Sequence, residues 1–151
     1  MSSELESRVR DEVEALHEFF VGWFTGKLPL GALEKEFLPR FDADFHLIPP
    51  TGDLLTLGEL QAALHRNHAA NPDLQIAIRN VTVHKVLNDI VVATYEEWQR
   101  HEPASANLNS ARISTVVLDQ ARSLKWLHVH EAWLPEAVAA AGFDATEDQS
   151  Q

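Results

Sequence analysis

Apolar residues over Ser3–Phe24 recur at Val9, Val13, Leu16, Phe20 and Trp23. Steps of four and three are the signature of one face of an amphipathic helix. Ser3 with Glu6 reads as a capping box at its start, and Gly26 as its stop. Beyond Pro29, Leu30, Leu33 and Phe37 fall on one side before Pro39, which predicts a short second helix over 30–38. Residues 42–48 then alternate, with Phe45 and Leu47 on one face and His46 and Ile48 on the other, and the Pro-Pro-Thr-Gly-Asp run at 49–53 closes that strand as a turn. Thr56 and Glu59 form a further capping box, opening a third helix that Asn71-Pro72 ends.

Past Asp73 the pattern changes to β-branched, period-two segments at 74–86, 90–100, 110–118 and 124–134. Short polar breaks at 87–89 and 119–123 separate the first and last pairs, so consecutive strands are expected to pair antiparallel as a meander. Only the break at 101–109 is long. Pro135 ends the last strand, 136–141 reads as a helical turn before Gly142, and 144–151 as a disordered acidic tail. The expected architecture is α+β: three N-terminal helices packed in the concave face of a strongly curved, mainly antiparallel sheet, as one domain over 1–143.

Composition narrows the partners. The 151 residues carry 12 Lys+Arg against 23 Asp+Glu, and a formal charge of -11 with no basic stripe repels a phosphate backbone, so nucleic acid is not expected. The chain has no cysteine, which fits a reducing compartment. Its first twelve residues are too charged for a signal peptide, and no apolar run approaches the roughly 18 residues of a membrane helix. A cytoplasmic protein without membrane contact is the expectation.

The order of elements and the last strand, 125–134 (KWLHVHEAWL), resemble the nuclear transport factor 2-like (cystatin-like cone) superfamily, over roughly 4–134. Within it the chain is most similar to the association domain of calcium/calmodulin-dependent protein kinase type II and its bacterial relatives, whose final strand carries a His-x-His followed by a polar residue. Here that is His128-Val129-His130-Glu131. The resemblance implies a conical pocket between sheet and helices, and a homodimer through the outer face of the sheet. The association domains line their pocket with arginines from the last three strands; in an approximate alignment those positions hold Glu96, Thr115 and Glu131, which argues against an anion site. Ketosteroid isomerases of the same superfamily place a Tyr on the first helix. The single tyrosine here, Tyr95, lies on a strand, so that mechanism does not transfer.

In 125–134, Trp126, His128 and His130 share one side while Leu127, Val129, Glu131 and Trp133 share the other. The resemblance puts Glu131 inward and leaves Trp126, His128 and His130 as a dimer face. On 90–100, Thr94, Glu96 and Trp98 form one face, mixing a carboxylate with an aromatic as a pocket wall does; the bland alternative is a solvated Glu96 and a core Trp98. On 110–118, Arg112 is a partner for Glu96 or Glu131, either as a buried ion pair or as a surface salt bridge. In the third helix, Leu57, Leu60, Leu64 and His68 fall on one stripe at about 100° per residue, with His65 at its edge. His68 is a base or donor for a ligand, or a core histidine satisfied by a backbone carbonyl. His128 and His130 would need His46 or His84 as a third metal ligand, and nothing in the spacing brings either near, so no metal is expected. No Gly-rich phosphate loop, Ser-centred elbow or His-Glu-x-x-His motif is present, and no cofactor is expected.

Three functions fit this pattern. The first is a small-molecule binding pocket in a homodimeric cone, lined by His65, His68, Glu96, Trp98, Arg112, Thr115 and Glu131. The second is an acid/base enzyme of isomerase, dehydratase or cyclase type on a mostly apolar substrate, with His68, Glu96 or Glu131 moving protons. The third is a dimerisation module without a ligand.

Overall fold

The computed structural model describes residues 3–100 and 110–135; the tail at 144–151 and the helical turn at 136–141 lie outside them. Helix α1 (Ser3–Phe24) buries Leu5, Val9, Val13, Leu16, His17, Phe19 and Trp23. The stripe is the one read from the sequence, rotated slightly toward Phe19 and extended by a histidine. The Glu6 carboxylate reaches beyond its own helix and accepts the Val83 amide at 3.0 Å, beside a register shift in the strand it meets. Gly26 leaves α1 at φ 84°, a left-handed conformation that a Cβ disfavours. The second helical segment is a π-turn (Leu33–Phe37) running into a 3-10 turn (Leu38–Arg40). Helix α2 (Leu57–Arg66) starts at the Thr56–Glu59 capping box and ends ten residues later, short of Asn71. No helix among the described residues is long and apolar enough to cross a membrane.

Six strands form one sheet: β1 (Phe41–Ile48), β2 (Leu55–Thr56), β3 (Gln75–Leu87), β4 (Ile90–Arg100), β5 (Ser110–Asp119) and β6 (Lys125–Trp133). Their order is β2-β1-β6-β5-β4-β3. The β3 to β6 run is an antiparallel meander, while β1 lies parallel to β6. The fold is thus α+β, with three helical segments against a curved, mainly antiparallel sheet. The chain turns between β3 and β4 at Asn88, φ 56°, one of the few side chains that tolerates this backbone. It turns between β5 and β6 on a short 3-10 segment whose Ala121 amide is held by Asp119.

The core fills the space between α1 and the concave face. Trp23 donates its indole N–H to the Leu64 carbonyl at 2.7 Å, tying α1 to α2. Trp126 donates to Glu12 at 2.8 Å and packs near Phe41 and Tyr95. This corrects one expectation: Trp126 is fully buried and does not share a dimer face with His128 and His130. The cause is a register shift between Val117 and Leu118 against β6. A one-residue irregularity flips every side chain beyond it to the other face. Trp126→Ala should therefore lower the unfolding free energy by about 3–5 kcal/mol in urea titrations, while His130→Ala, exposed on β6, should change it by less than about 0.5 kcal/mol. Equal, small effects would contradict the core position of the indole.

Candidate functional site

The inner face of β4 is set by its odd-numbered residues, Val91, Ala93, Tyr95 and Glu97, all buried. Glu97 pairs in register with Arg112 on β5, and Ser114 lies between Tyr95 and Glu131 on the flanking strands. The strands therefore carry a polar row, Glu97, Arg112, Glu131, across an otherwise apolar concave wall. From α1 the buried His17 meets this row. Its Nδ1–H donates to the Val13 carbonyl at 2.7 Å, and Nε2 lies 3.0 Å from Glu97 Oε1. A carbonyl only accepts, so Nδ1 holds a proton, and the Nε2 contact with a carboxylate holds a second: the arrangement is an imidazolium–carboxylate pair. Phe20 and Tyr95 meet the imidazole edge-on, each 5.4 Å away between ring centres.

Burial pushes the His17 imidazole down, but the charge and hydrogen bond of Glu97 outweigh it and leave His17 above its ordinary value. Burial likewise pushes Glu97 up, yet His17, Arg112 and Gln99 together bring it down to about 2. Glu131 goes the other way. Burial raises its carboxyl, and the nearby Glu97 adds to this, with Arg112 only partly opposing. Arg112 holds Glu131 through one contact, NH1 to Oε1 at 3.2 Å, and its guanidinium lies 4.8 Å from the centre of the half-exposed Trp133 ring. Burial, Glu97 and Glu131 push the Tyr95 phenol well above its ordinary value, so it stays neutral.

A cavity of about 270 Å³ opens over this row. Phe20 and Phe24 of α1, Leu47 of β1, Leu60 and Leu64 of α2, Leu74 and Ile76 form its walls; Asn71, Glu97, Gln99, Arg112 and Glu131 form its polar end. A larger, more open groove of about 680 Å³ runs between α1 and β3, past Glu14, His17, Glu18 and Arg100. Ile76 borders both spaces, and the His17–Glu97 pair bridges them. The smaller cavity, with its mixed lining, has the character of a small-molecule site.

Of the residues expected to line a pocket, the structure brings together Arg112 and Glu131. Glu96, Trp98 and Thr115 belong to the opposite, convex face. There Glu96 accepts the Trp98 indole N–H at 3.0 Å, the Arg79 guanidinium covers that indole at 4.4 Å, and Thr115 is exposed opposite His130. Both alternating faces of β4 contain apolar residues, and the bulk of Trp98 pointed to the wrong one. His68 takes the second of its two expected roles, a histidine satisfied by a backbone carbonyl rather than a pocket group. Helix α2 ends at Arg66, so His68 sits beyond it, donating Nε2–H to the Leu28 carbonyl at 2.7 Å against Trp23. His65 is exposed. His46, His128 and His130 lie on the outer side of neighbouring strands β1 and β6, and no group of three potential metal ligands is formed among the described residues. The sequence reading missed His17, Glu97 and Gln99. A signal for His17 existed: it continues the Leu5, Val9, Val13 series of four-residue steps.

No family model matches the chain, and no curated protein matches it. Among solved structures it is similar to an NTF2-like protein of unknown function from Pseudomonas aeruginosa, at 28% identity and a TM-score of 0.75, covering 85% of this chain and 99% of that one. An uncharacterised protein with a cystatin-like fold from Caulobacter vibrioides gives 15% identity and a TM-score of 0.60 over 87% of this chain and 94% of that one. The association domain of the C. elegans calcium/calmodulin-dependent protein kinase II gives 13% and 0.62, over 87% and 99%. The fold is that of the nuclear transport factor 2-like, cystatin-like cone superfamily, the one the sequence resembles.

The buried pair has a pH signature. His17, raised above 6.5, contributes stability that is complete below pH 6.5 and is lost as pH rises through its folded value. Glu97, lowered from 4.5 to about 2, contributes stability that is complete above pH 4.5 and is lost as pH falls toward 2. The deficit of His17→Leu, about 3–5 kcal/mol for a buried charge deprived of its partner, should thus be largest between pH 4.5 and 6.5 and shrink on both sides. Urea denaturation across that range checks it; a pH-independent deficit would contradict an ionised pair.

Proposed function

We propose that the cone is a small-molecule binding domain whose ligand lies with an apolar body against Phe20, Phe24, Leu60 and Leu64 and a polar end at Arg112 and Glu131. The observation that carries this reading is the cavity itself, whose lining joins apolar side chains to the charged groups of Glu97, Arg112 and Glu131. A core with no ligand to meet has no physical reason to keep Glu131 nine-tenths buried on a single hydrogen bond. We place the protein in the cytoplasm, in keeping with its lack of cysteine.

A second reading, general acid/base catalysis in the same cavity, has its own support. Glu97 and Glu131 are two carboxylates whose surroundings push their proton affinities apart, the division of labour that acid/base sites use. Glu131 is then the group that carries the proton, and Glu97 stays ionised.

A thermal-shift screen of small amines, alcohols and acids tests both readings. A ligand at 100 times its Kd should raise Tm by about 5–10 °C, and Leu60→Trp, which fills the cavity, should abolish the shift. A shift that survives Leu60→Trp would move the ligand elsewhere. Hits recovered chemically altered from the wild type and intact from Glu131→Gln favour the catalytic reading; hits recovered intact from both count against it.

We further propose a homodimer through the convex face around His128 and His130. Support comes from the half-exposed Ile113 on that face and from the likeness to an association domain. His128→Asp should reduce the mass in solution to that of one chain, measured by light scattering, with ligand shifts retained. An unchanged dimer mass would exclude this face as the interface.

A further inference from the structure

We propose that the polar end of the cavity selects a cationic amine, an ammonium group on a compact apolar body, with Glu131 as its counter-ion. This rests on the reading of the cavity as a ligand site.

The two carboxylates at the cavity differ in what they have left to offer. Glu97 has a partner on each oxygen: Oε1 accepts from His17 and Oε2 from Gln99. Glu131 has one partner, Arg112 NH1 on Oε1 at 3.2 Å, and its other oxygen accepts no hydrogen bond among the described residues. A carboxylate offers about four lone-pair positions, so Glu131 is the acceptor with open capacity at the cavity wall. A group able to donate there gains a charge-assisted hydrogen bond.

The character of the ligand follows from the lining and the open Glu131 oxygen together. Glu97, Arg112 and Glu131 are the charged residues of the cavity wall, two carboxylates to one guanidinium. The charge of His17 lies behind Glu97, outside the cavity lining, and is matched by it. The remaining elements around Glu131, α2, β1 and β3, present leucine and isoleucine to the space. With His17 counted, two cations meet two carboxylates and the row carries no net charge, so the selection rests on the acceptor oxygen that Glu131 leaves open. An ammonium donates to it in a charge-assisted bond, stronger than the one a neutral donor makes, and an anion has no proton to give. Glu14 and Glu18 on the groove beside the cavity, and the overall charge of -11, draw cations to the same region. Aromatic rings at Phe20 and Phe24 also line the cavity and offer an apolar surface for a cation's hydrocarbon body.

Protonation supplies an independent readout. Burial raises the Glu131 carboxyl, with Arg112, Glu97 and His17 as the charged groups facing it. An ammonium partner favours the ionised form, so amine affinity must fall as pH drops through the raised value of Glu131, above the ordinary 4.5.

Calorimetry on the full chain with three probes of one shape tests this: cyclohexylmethylamine, cyclohexylmethanol and cyclohexanecarboxylate. At neutral pH the amine is expected to bind about tenfold or more tighter than the alcohol, and the carboxylate more weakly than either. Glu131→Gln should remove that preference while leaving the alcohol within about twofold, and acidifying the wild type should reproduce the loss without any substitution. Equal or tighter binding of the alcohol or the carboxylate overturns the amine assignment and leaves the ligand site standing. A preference that persists in Glu131→Gln or is independent of pH overturns it as well. Failure of all three probes to bind overturns the ligand site together with the proposal.

Discussion

The ion pair between His17 and Glu97 is the contact on which the arrangement of the cone turns. Removing two charges from water is expensive, and the structure offsets this by satisfying both imidazole nitrogens and both carboxylate oxygens. Such a pair tolerates little displacement, because each partner left without the other is a buried charge. It therefore fixes the rotation of α1 about its axis and its position along β4. That rotation directs Leu16, Phe19 and Trp23 into the core and leaves Phe20 and Phe24 facing the cavity.

From this constraint the character of the cavity follows. With Glu97 neutralised from behind by His17, Arg112 lies between two carboxylates of unequal need. Glu131 is the less satisfied one, nine-tenths buried, held by a single bond and open toward the apolar walls. The association domains and NTF2-like proteins that share the fold show how widely this cone is distributed, but the contents of the cone are a matter of side chains. Here they are two acids, one arginine and a histidine delivered by the helix.

Much of the frame was legible before any coordinates. The three- and four-residue steps of α1, the capping box at Thr56, the turn signals at Asn88 and Pro135 and the long alternating strands of the meander all rest on local geometry. Glu131 and Arg112 were legible as well, one from the resemblance of the last strand and the other as an ion-pair partner for Glu96 or Glu131. Glu96, Trp98, Thr115 and His65 were not placed where they lie, and for His68 the carbonyl-satisfied reading holds rather than the pocket one. On β4 both faces carry apolar residues, one against the core and one under Arg79 on the convex side, so alternation could not say which was inside. At His68 the stripe of α2 extrapolated past a helix that its own C-terminal turn had already ended.

What the sequence determined by itself is most of the elements and their order, because periodicity, caps and turn chemistry act over a few residues and are written in them; the cone was implied by the resemblance, and the two-residue strand β2 left no local signal. What only the tertiary structure decided is which face of each strand looks inward and which distant groups meet. The bulge that sends Trp126 into the core arises from pairing between β5 and β6. The meeting of His17 with Glu97 spans 80 positions of chain. Both depend on the burial of whole faces and on the electrostatic match of charges brought out of water, which no local pattern encodes.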